Sequence, residues 1–114
     1  MCGIAAIVSY RNGPRIDELE LLKIRDRMIS RGPDGAGIWF SADQRVGLAH
    51  RRLAIIDLSP SASQPMFDET GTLAIVFNGE IYNYRELREQ LAKAGFRFKS
   101  RSDTEVLLHL YALI

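Results

Sequence analysis

Apolar and polar positions along this chain follow two periods, and together they predict an order of strands and helices. CGIAAIV at 2–8 is a continuous apolar run and predicts a strand buried on both faces, because a strand with one wet face alternates. GIWF at 37–40 and VGLAH at 46–50 predict a hairpin around a polar turn. Beyond the hairpin we interpret LAIID at 53–57 as a further candidate strand and SPSASQP at 59–65 as a loop.

The second half of the chain carries three more strand signals. TLAIVF at 72–77 predicts a second buried strand. Asn78-Gly79 follows it directly and is the strongest short hairpin signal in the chain. FRFKS at 96–100 alternates as a half-exposed strand does.

Two amphipathic helices are predicted between these strands. The first begins near Asp17, which has capping-box spacing to Glu20, and it stops at Gly32-Pro33. The second is RELREQLAKA at 85–94, closed by Gly95. The residues that can share the apolar face of the first helix are Leu19, Leu22, Met28 and Ile29.

A third helix is predicted up to the end of the chain. SDTE at 102–105 has capping-box spacing and opens the apolar run VLLHLYALI. That run reaches Ile114 without a glycine, a basic last turn or a proline to end the helix. We therefore expect residues 1–114 to be the N-terminal part of a longer protein.

Composition narrows the class of protein further. With 114 residues, 46% hydrophobic and 25% charged, the chain has the size and make-up of one globular domain or part of one. A net charge of +1 without a basic stripe argues against nucleic acid, and no apolar run reaches membrane-spanning length. The single cysteine and the lack of a secretory signal favour a reducing cytoplasm.

That cysteine, Cys2, is the first candidate for chemistry. If Met1 is removed, the thiol and the free α-amine belong to one residue, and their unperturbed pKa values are about 8.5 and about 8. The amine can then take the proton of the thiol, as in other nucleophiles activated by an N-terminal amine. The strand behind Cys2 would hold it rigidly, and Gly3 would leave room for a substrate. Taken alone this signal is weak, because a cysteine at position 2 is more often an inert residue that opens a strand.

Further motifs give Cys2 a context. Together with MCGIAAIV they resemble the glutamine-hydrolysing (class II) amidotransferase domain of asparagine synthetase, over essentially the whole chain. A sister group that modifies surface polysaccharides or small metabolites shares these motifs. The remaining motifs are RGPDGAG (31–37), LAHRRLAIIDLS (48–59), QPM (64–66), FNGEIYNYRELR (77–88) and SDTEV (102–106).

The resemblance implies a role for each matching residue. Cys2 would attack the side-chain amide of glutamine, and the Asn78 amide and Gly79 N–H would stabilise the oxyanion. Arg52 would bind the carboxylate of the substrate, and Asp103, with Glu80, its ammonium.

Structural alternatives stay open at several of these positions. Asn78-Gly79 can be simply a type I′ turn, Glu80 an exposed strand residue, and Asp103 or its neighbour Ser102 a helix cap. Strand alternation should send one of the pair Arg51 and Arg52 outward.

The remaining polar residues have weaker claims to a role in the site. Arg31 and Asp34 are expected to brace the loop around the nucleophile. His50 has no assigned role, although it could help to shape the pocket, and His109 is expected to be a packed helix residue. The two histidines and one cysteine give no metal-ligand spacing, so no metal site is expected.

The family resemblance also implies a fold and partners. The expected fold is α+β, a four-layer α/β/β/α sandwich of two antiparallel sheets of the Ntn-hydrolase type, incomplete within residues 1–114. Glutamine is the expected substrate, and no cofactor is expected in this segment. A missing C-terminal synthetase domain would use ATP and magnesium to activate aspartate for the ammonia. A homodimer is a possible assembly.

A second interpretation belongs to another class of protein. A sandwich cut partway leaves open strand edges and an uncovered helix face, so the chain could be a catalytically silent interaction module.

Overall fold

The computed structural model describes all 114 residues and has an α+β fold with five strands and three helices. A three-stranded antiparallel sheet has the order β1-β3-β2, and β4 and β5 form a second, two-stranded antiparallel sheet. The elements are β1 (Gly3–Val8), α1 (Glu18–Asp26), β2 (Gly35–Phe40), β3 (Val46–Arg52), β4 (Met66–Phe67), β5 (Ala74–Ile75), α2 (Tyr84–Lys93) and α3 (Asp103–Leu113), with a 3₁₀ turn at Pro60–Ala62.

The two faces of the larger sheet have different neighbours. Strand β3 pairs with β1 on one side and with β2 on the other. Successive β3 residues point to opposite faces of the sheet, because the strand is pleated. Gly47, Ala49 and Arg51 lie on the face covered by α1, and Leu21 of that helix is completely buried there. His50 and Arg52 therefore lie on the other face, which we call the inner face.

The second sheet covers part of the inner face. The ring of Phe67 in β4 packs edge-on against Trp39 of β2, with ring centroids 5.8 Å apart. Helix α3 packs on β4 and β5, and α2 packs on α3. The layer order is thus helix, sheet, sheet, helices, which agrees with the expected sandwich, and the predicted α+β class and pair of antiparallel sheets are confirmed.

Strand β1 is not buried on both faces, so that prediction was wrong. Ile4 and Val8 on its inner face are 45% and 59% exposed. The reason is the small size of the second sheet, which lies over the β2 side, where Phe67 meets Trp39, and does not reach β1.

Three other strand predictions need correction. Residues 53–57 and 96–100 form no strand, and in the run 72–77 only Ala74–Ile75 pairs, with Met66–Phe67. Asn78-Gly79 makes no hairpin: neither residue has the positive φ that a type I′ turn requires, and no strand follows.

The predicted β2–β3 hairpin is confirmed, and so are the second and third helices. Gly95, with φ +102°, follows the end of α2, as expected for a glycine that ends a helix. Ser102 caps α3 by accepting a 3.1 Å hydrogen bond from the N–H of Thr104. None of the helices is long and apolar enough to cross a membrane.

Helix α1 begins as predicted but buries a different face. Asp17 is its cap, accepting a 3.0 Å hydrogen bond from the N–H of Leu19. Leu21 is the residue buried under the sheet, whereas Leu19 is exposed. The helix ends at Asp26 instead of at Gly32, since the following residues tighten into turns in which Met28 donates to the carbonyl of Arg25.

Candidate active site

A pocket of about 420 Å³ opens beside the inner face. It lies among the chain start, the loop after β3, the segment after β5 and the beginning of α3. Four distant parts of the sequence therefore meet at one site. The pocket brings together every residue that the sequence analysis assigned to catalysis or substrate binding: Cys2, Arg52, Asn78, Gly79, Glu80 and Asp103.

Cys2 lies immediately before β1 and is half-buried in the pocket wall. Its Sγ is 3.3 Å from the backbone nitrogen of Leu53 and 3.5 Å from the carbonyl oxygen of Leu53. These contacts fix the sulfur against the loop after β3. Met1 also lines the pocket, and while it is attached the nitrogen of Cys2 belongs to a peptide bond.

The neighbouring loop is braced as expected. Arg31 Nε donates to the carbonyl of Cys2 at 3.4 Å, and Asp34 accepts a 2.9 Å hydrogen bond from the N–H of Ala54. Gly3, by contrast, does not make room for a substrate. A Cβ at Gly3 would lie 2.9 Å from the side chain of Met28, so the glycine allows close packing on the α1 side.

The register of β3 resolves the ambiguity between Arg51 and Arg52. Arg51 points to the α1 face, where its Nε donates to the carbonyl of Gly32 at 2.9 Å and the side chain is buried. Arg52 lines the pocket, donating from Nη1 to the carbonyl of Ser59 at 2.7 Å and from Nη2 to the carbonyl of Asp57. A guanidinium has five N–H donors, so further donors remain for a ligand.

Asn78 and Gly79 offer hydrogen-bond donors to the pocket. Neither the side-chain amide of Asn78 nor the backbone N–H of Gly79 is used within the protein. A Cβ at Gly79 would lie 2.7 Å from the ring of Phe77, so a larger residue would push this segment away from the ring. Glu80 is exposed at the rim of the same pocket.

Asp103 is buried in the first turn of α3 and lines the pocket. One carboxylate oxygen, Oδ2, accepts a 3.0 Å hydrogen bond from the N–H of Ile81, just after Glu80. The cap of α3 is Ser102 and not Asp103, so the Asp103 carboxylate is not consumed in capping the helix.

His50 is the one buried polar side chain without partners. Its ring is 1% exposed, and neither ring nitrogen has a hydrogen-bond partner. Burial lowers the pKa of His50 to about 4, and the charge of Arg52 acts in the same direction; the nearby backbone of Phe77 opposes the shift without forming a well-aligned hydrogen bond. His50 is therefore a neutral imidazole at physiological pH. No three His, Cys, Asp or Glu side chains cluster closely enough to hold a metal ion.

Two further pocket residues were missed by sequence reasoning. Gln64 is buried, accepts a 2.6 Å hydrogen bond from the N–H of Phe77 and donates to Thr104 at 3.2 Å. It thereby ties the segment before Asn78 to α3. The motif QPM contains Gln64, but nothing in a linear motif identifies its two distant partners.

Asp57 is the second missed residue. Its carboxylate accepts hydrogen bonds from the N–H groups of Arg101, at 2.6 Å, and of Ser59, at 2.8 Å. These bonds, the one from Arg101 above all, lower the pKa of Asp57 to about 2. The spacing Asp-x-Ser was the available signal, because an aspartate often bonds to the backbone two residues ahead.

Comparison with known proteins identifies the family of this domain. Residues 1–114 match the glutamine amidotransferase domain family over their whole length. The chain belongs to that family.

Individual relatives are similar over nearly the whole chain. They include the asparagine synthetase [glutamine-hydrolyzing] 1 of Bacillus subtilis, at 45% identity over 97% of this chain and 17% of its own length. The Arabidopsis thaliana protein of the same name is 40% identical over 97% of this chain and 18% of its own length. "Amidase chry2" of Gibberella zeae is 43% identical over 97% of this chain and 18% of its own length. The chain thus spans less than a fifth of the length of these relatives.

Proposed function

We propose that this chain is the glutaminase part of a glutamine-dependent amidotransferase and that it hydrolyses glutamine to glutamate and ammonia. The observation that carries the proposal is the convergence of a half-buried thiol, unused amide donors, an arginine and a buried carboxylate in one pocket of about 420 Å³. Each group suits one part of glutamine, and the names of the relatives support glutamine as the substrate.

Activation of the nucleophile begins with removal of Met1. The amine freed on Cys2 accepts the proton of its own thiol, directly or through one water, and leaves a thiolate. The thiolate attacks the side-chain carbonyl carbon of glutamine, and a carbon–sulfur bond forms as the carbonyl oxygen becomes an oxyanion. The amide of Asn78 and the N–H of Gly79 donate to that oxyanion, a contribution of roughly 10²–10³ in rate where a single donor has been removed elsewhere.

The tetrahedral species then collapses. The carbon–nitrogen bond breaks, the leaving nitrogen takes the proton held by the amine of Cys2, and ammonia departs. A water hydrolyses the remaining thioester, which releases glutamate and restores the thiol. All of this chemistry uses side chains and backbone groups of the chain and requires no cofactor within residues 1–114.

Recognition of glutamine uses the two ends of the pocket. Arg52 retains N–H donors for the α-carboxylate after its two bonds to backbone carbonyls, and a guanidinium suits a carboxylate in geometry and charge. Asp103, with a carboxylate oxygen not engaged by Ile81, and Glu80 at the rim would bind the α-ammonium. This arrangement would favour glutamine over simple amides.

In the whole protein we propose that the ammonia passes to aspartate activated by ATP and magnesium on a C-terminal synthetase domain, in the cytoplasm. The names of the asparagine synthetase relatives support this acceptor. A second candidate is an amidotransferase with another acceptor, which the 43% identical relative named "Amidase chry2" favours.

Replacement of the nucleophile in the full-length protein tests the proposal. Cys2→Ala should reduce glutamine-dependent product formation by at least about 10³-fold, because no other thiol is present in this segment. Synthesis supported by added ammonium should stay within about threefold of the wild type, since it bypasses the pocket. Product analysis with aspartate and with other acceptors distinguishes the two candidate reactions.

Labelling provides a direct readout of the nucleophile. An electrophilic glutamine analogue should modify Cys2 of a protein whose intact mass lacks Met1. Labelling at another residue, or retention of Met1 in an active enzyme, contradicts the mechanism. Absence of both labelling and ammonia release from the full-length protein would favour the silent interaction module instead.

A further inference from the structure

Asp57 lies between two parts of the proposed substrate-binding site, Arg52 and the segment before Asp103. It lies in the loop between β3 and the 3₁₀ turn, on the wall of the pocket, and one of its carboxylate oxygens reaches across to the segment before α3. The backbone carbonyl of Asp57 bonds to Arg52, whereas its side chain bonds to Ser59 and Arg101.

The backbone carbonyl of Asp57 is one of two that hold Arg52. The guanidinium donates from Nη2 to this carbonyl and from Nη1 to the carbonyl of Ser59 at 2.7 Å. The Asp57 carboxylate in turn accepts the N–H of Ser59 through Oδ1 at 2.8 Å. The carboxylate therefore fixes the shape of the turn that presents both carbonyls to Arg52.

The other carboxylate oxygen bonds to the segment that leads into Asp103. Oδ2 accepts the N–H of Arg101 at 2.6 Å, and Arg101 lies two residues before Asp103. One side chain thus connects the loop that holds Arg52 to the start of the helix that carries Asp103. The carboxylate is ionised at neutral pH, so both bonds are charge-assisted and stronger than bonds between neutral groups.

We propose that Asp57 is a positioning residue for glutamine, which keeps Arg52 and Asp103 at the separation of the α-carboxylate and α-ammonium of the substrate. The inference rests on the proposed function and extends it to a residue that touches neither the thiol nor the reacting amide. It follows that loss of the Asp57 carboxylate weakens substrate binding and leaves the chemical step largely intact.

A matched pair of isosteric variants tests this inference in the full-length protein. In Asp57→Asn the amide nitrogen cannot accept the N–H that one carboxylate oxygen accepts now. We expect the KM for glutamine to rise about ten- to a hundredfold, the range for a lost charged hydrogen bond, with kcat within about threefold of the wild type. Ammonium-supported synthesis should be unchanged.

Asp68→Asn is the control. Asp68 is also a loop aspartate that bonds to a backbone N–H, that of Leu73 at 2.9 Å, and whose pKa is lowered to about 2, but it lies in the β4–β5 connection outside the pocket. Its substitution should leave KM and kcat within about twofold of the wild type even if the protein loses similar stability.

A second variant covers the case in which Asp57→Asn fails to fold. Ser59 has φ −76°, which proline can adopt, so Ser59→Pro removes both the N–H and the hydroxyl that interact with the Asp57 carboxylate and retains the carbonyl that holds Arg52. A rise in KM, smaller but in the same direction, is expected.

The possible results separate this inference from the proposed function. A wild-type protein that does not hydrolyse glutamine overturns the proposed function and the inference with it. Turnover by the wild type, combined with an unchanged KM in Asp57→Asn or an equal rise in Asp68→Asn, overturns the positioning role alone.

Discussion

His50 is a titratable residue that is buried without hydrogen-bond partners. A buried polar atom normally has a partner, and the two ring nitrogens of His50 have none. A neutral imidazole tolerates this position better than an imidazolium, because burying a charge without a counter-ion costs far more than burying a dipole. The residue should therefore influence how the stability of the protein depends on pH.

We predict that protein stability decreases as the pH falls from about 6.5 to about 4. The pKa of His50 is about 4 in the folded protein and 6.5 as a free side chain, so in this window the unfolded chain binds more protons. The free energy of unfolding then rises with pH across the window, by at most roughly 3 kcal/mol, and His50 contributes no further change above it.

Denaturant unfolding of the wild type and of His50→Leu at several pH values checks this prediction. The variant lacks the titrating group, so the difference between the two proteins should shrink or change sign as the pH is lowered. Parallel pH profiles of the wild type and the variant would contradict it. Asp57, Asp68 and Glu105, whose pKa values are also lowered, remain in both proteins and cancel in the comparison.

At the scale of elements, the sequence predicted most helix ends correctly, because they depend on neighbouring residues. It predicted several strands wrongly, because a strand depends on a distant pairing partner. The caps at Asp17 and Ser102 and the end of α2 at Gly95 follow from bonds and dihedrals within a few residues. Residues 53–57 and 96–100 have the apolar content of strands, but their N–H groups bind elsewhere. Leu53 donates to the sulfur of Cys2, and Lys99 donates to the carboxylate of Glu105.

The residues of the candidate site also fall into a group that the sequence could predict and a group that it could not. Motifs alone could nominate Cys2, Arg52, Asn78, Gly79, Glu80 and Asp103. Alternation predicts only that Arg51 and Arg52 face opposite ways, and the folded strand shows that Arg52 is the one at the pocket. The long-range contacts of Gln64 and Asp57 could not be predicted, since their partners Thr104 and Arg101 lie 40 and 44 residues away along the chain. Only the assembled fold brings these partners together.

The contact between β2 and the segment before β4 gives a prediction at this scale. A Cβ at Gly37 would lie 1.8 Å from the carbonyl oxygen of Gln64, which is backbone and cannot rotate away. We expect Gly37→Ala to force the two sheets apart and lower the free energy of unfolding by about 1–3 kcal/mol or more. Glutamine hydrolysis should fall as well, because Gln64 holds the segment before Asn78.

Gly35→Ala is the control in the same strand and on the same face. The nearest atom to its added Cβ would be the Cβ of Arg52 at 3.6 Å, an ordinary contact distance. Its free energy of unfolding should stay within about 1 kcal/mol of the wild type, or increase because alanine restricts the unfolded chain. Equal losses in both variants, measured by denaturant unfolding, would contradict the proposed close approach.

At the scale of the whole molecule, the inner face of the larger sheet is divided. The β2 side is covered by the second sheet, and the β1 side leaves Ile4 and Val8 exposed along a strand whose outer edge has no partner. An apolar strip beside an open strand edge favours pairing with another chain. The candidate active-site pocket and the exposed strip share the inner face, so self-association would act close to the pocket.

The last prediction concerns the 114-residue chain expressed by itself. We expect it to self-associate through β1, so that sedimentation gives an average mass above 12.9 kDa that rises with concentration. Val8→Lys should return the mass toward 12.9 kDa, since an inward-facing lysine on an edge strand opposes strand pairing. Ile29→Lys is the control, because Ile29 is 56% exposed, close to the 59% of Val8, but lies after α1 and away from the sheet edge. A chain that stays monomeric at all concentrations would contradict an association through β1. Equal dissociation by Val8→Lys and Ile29→Lys would contradict it as well.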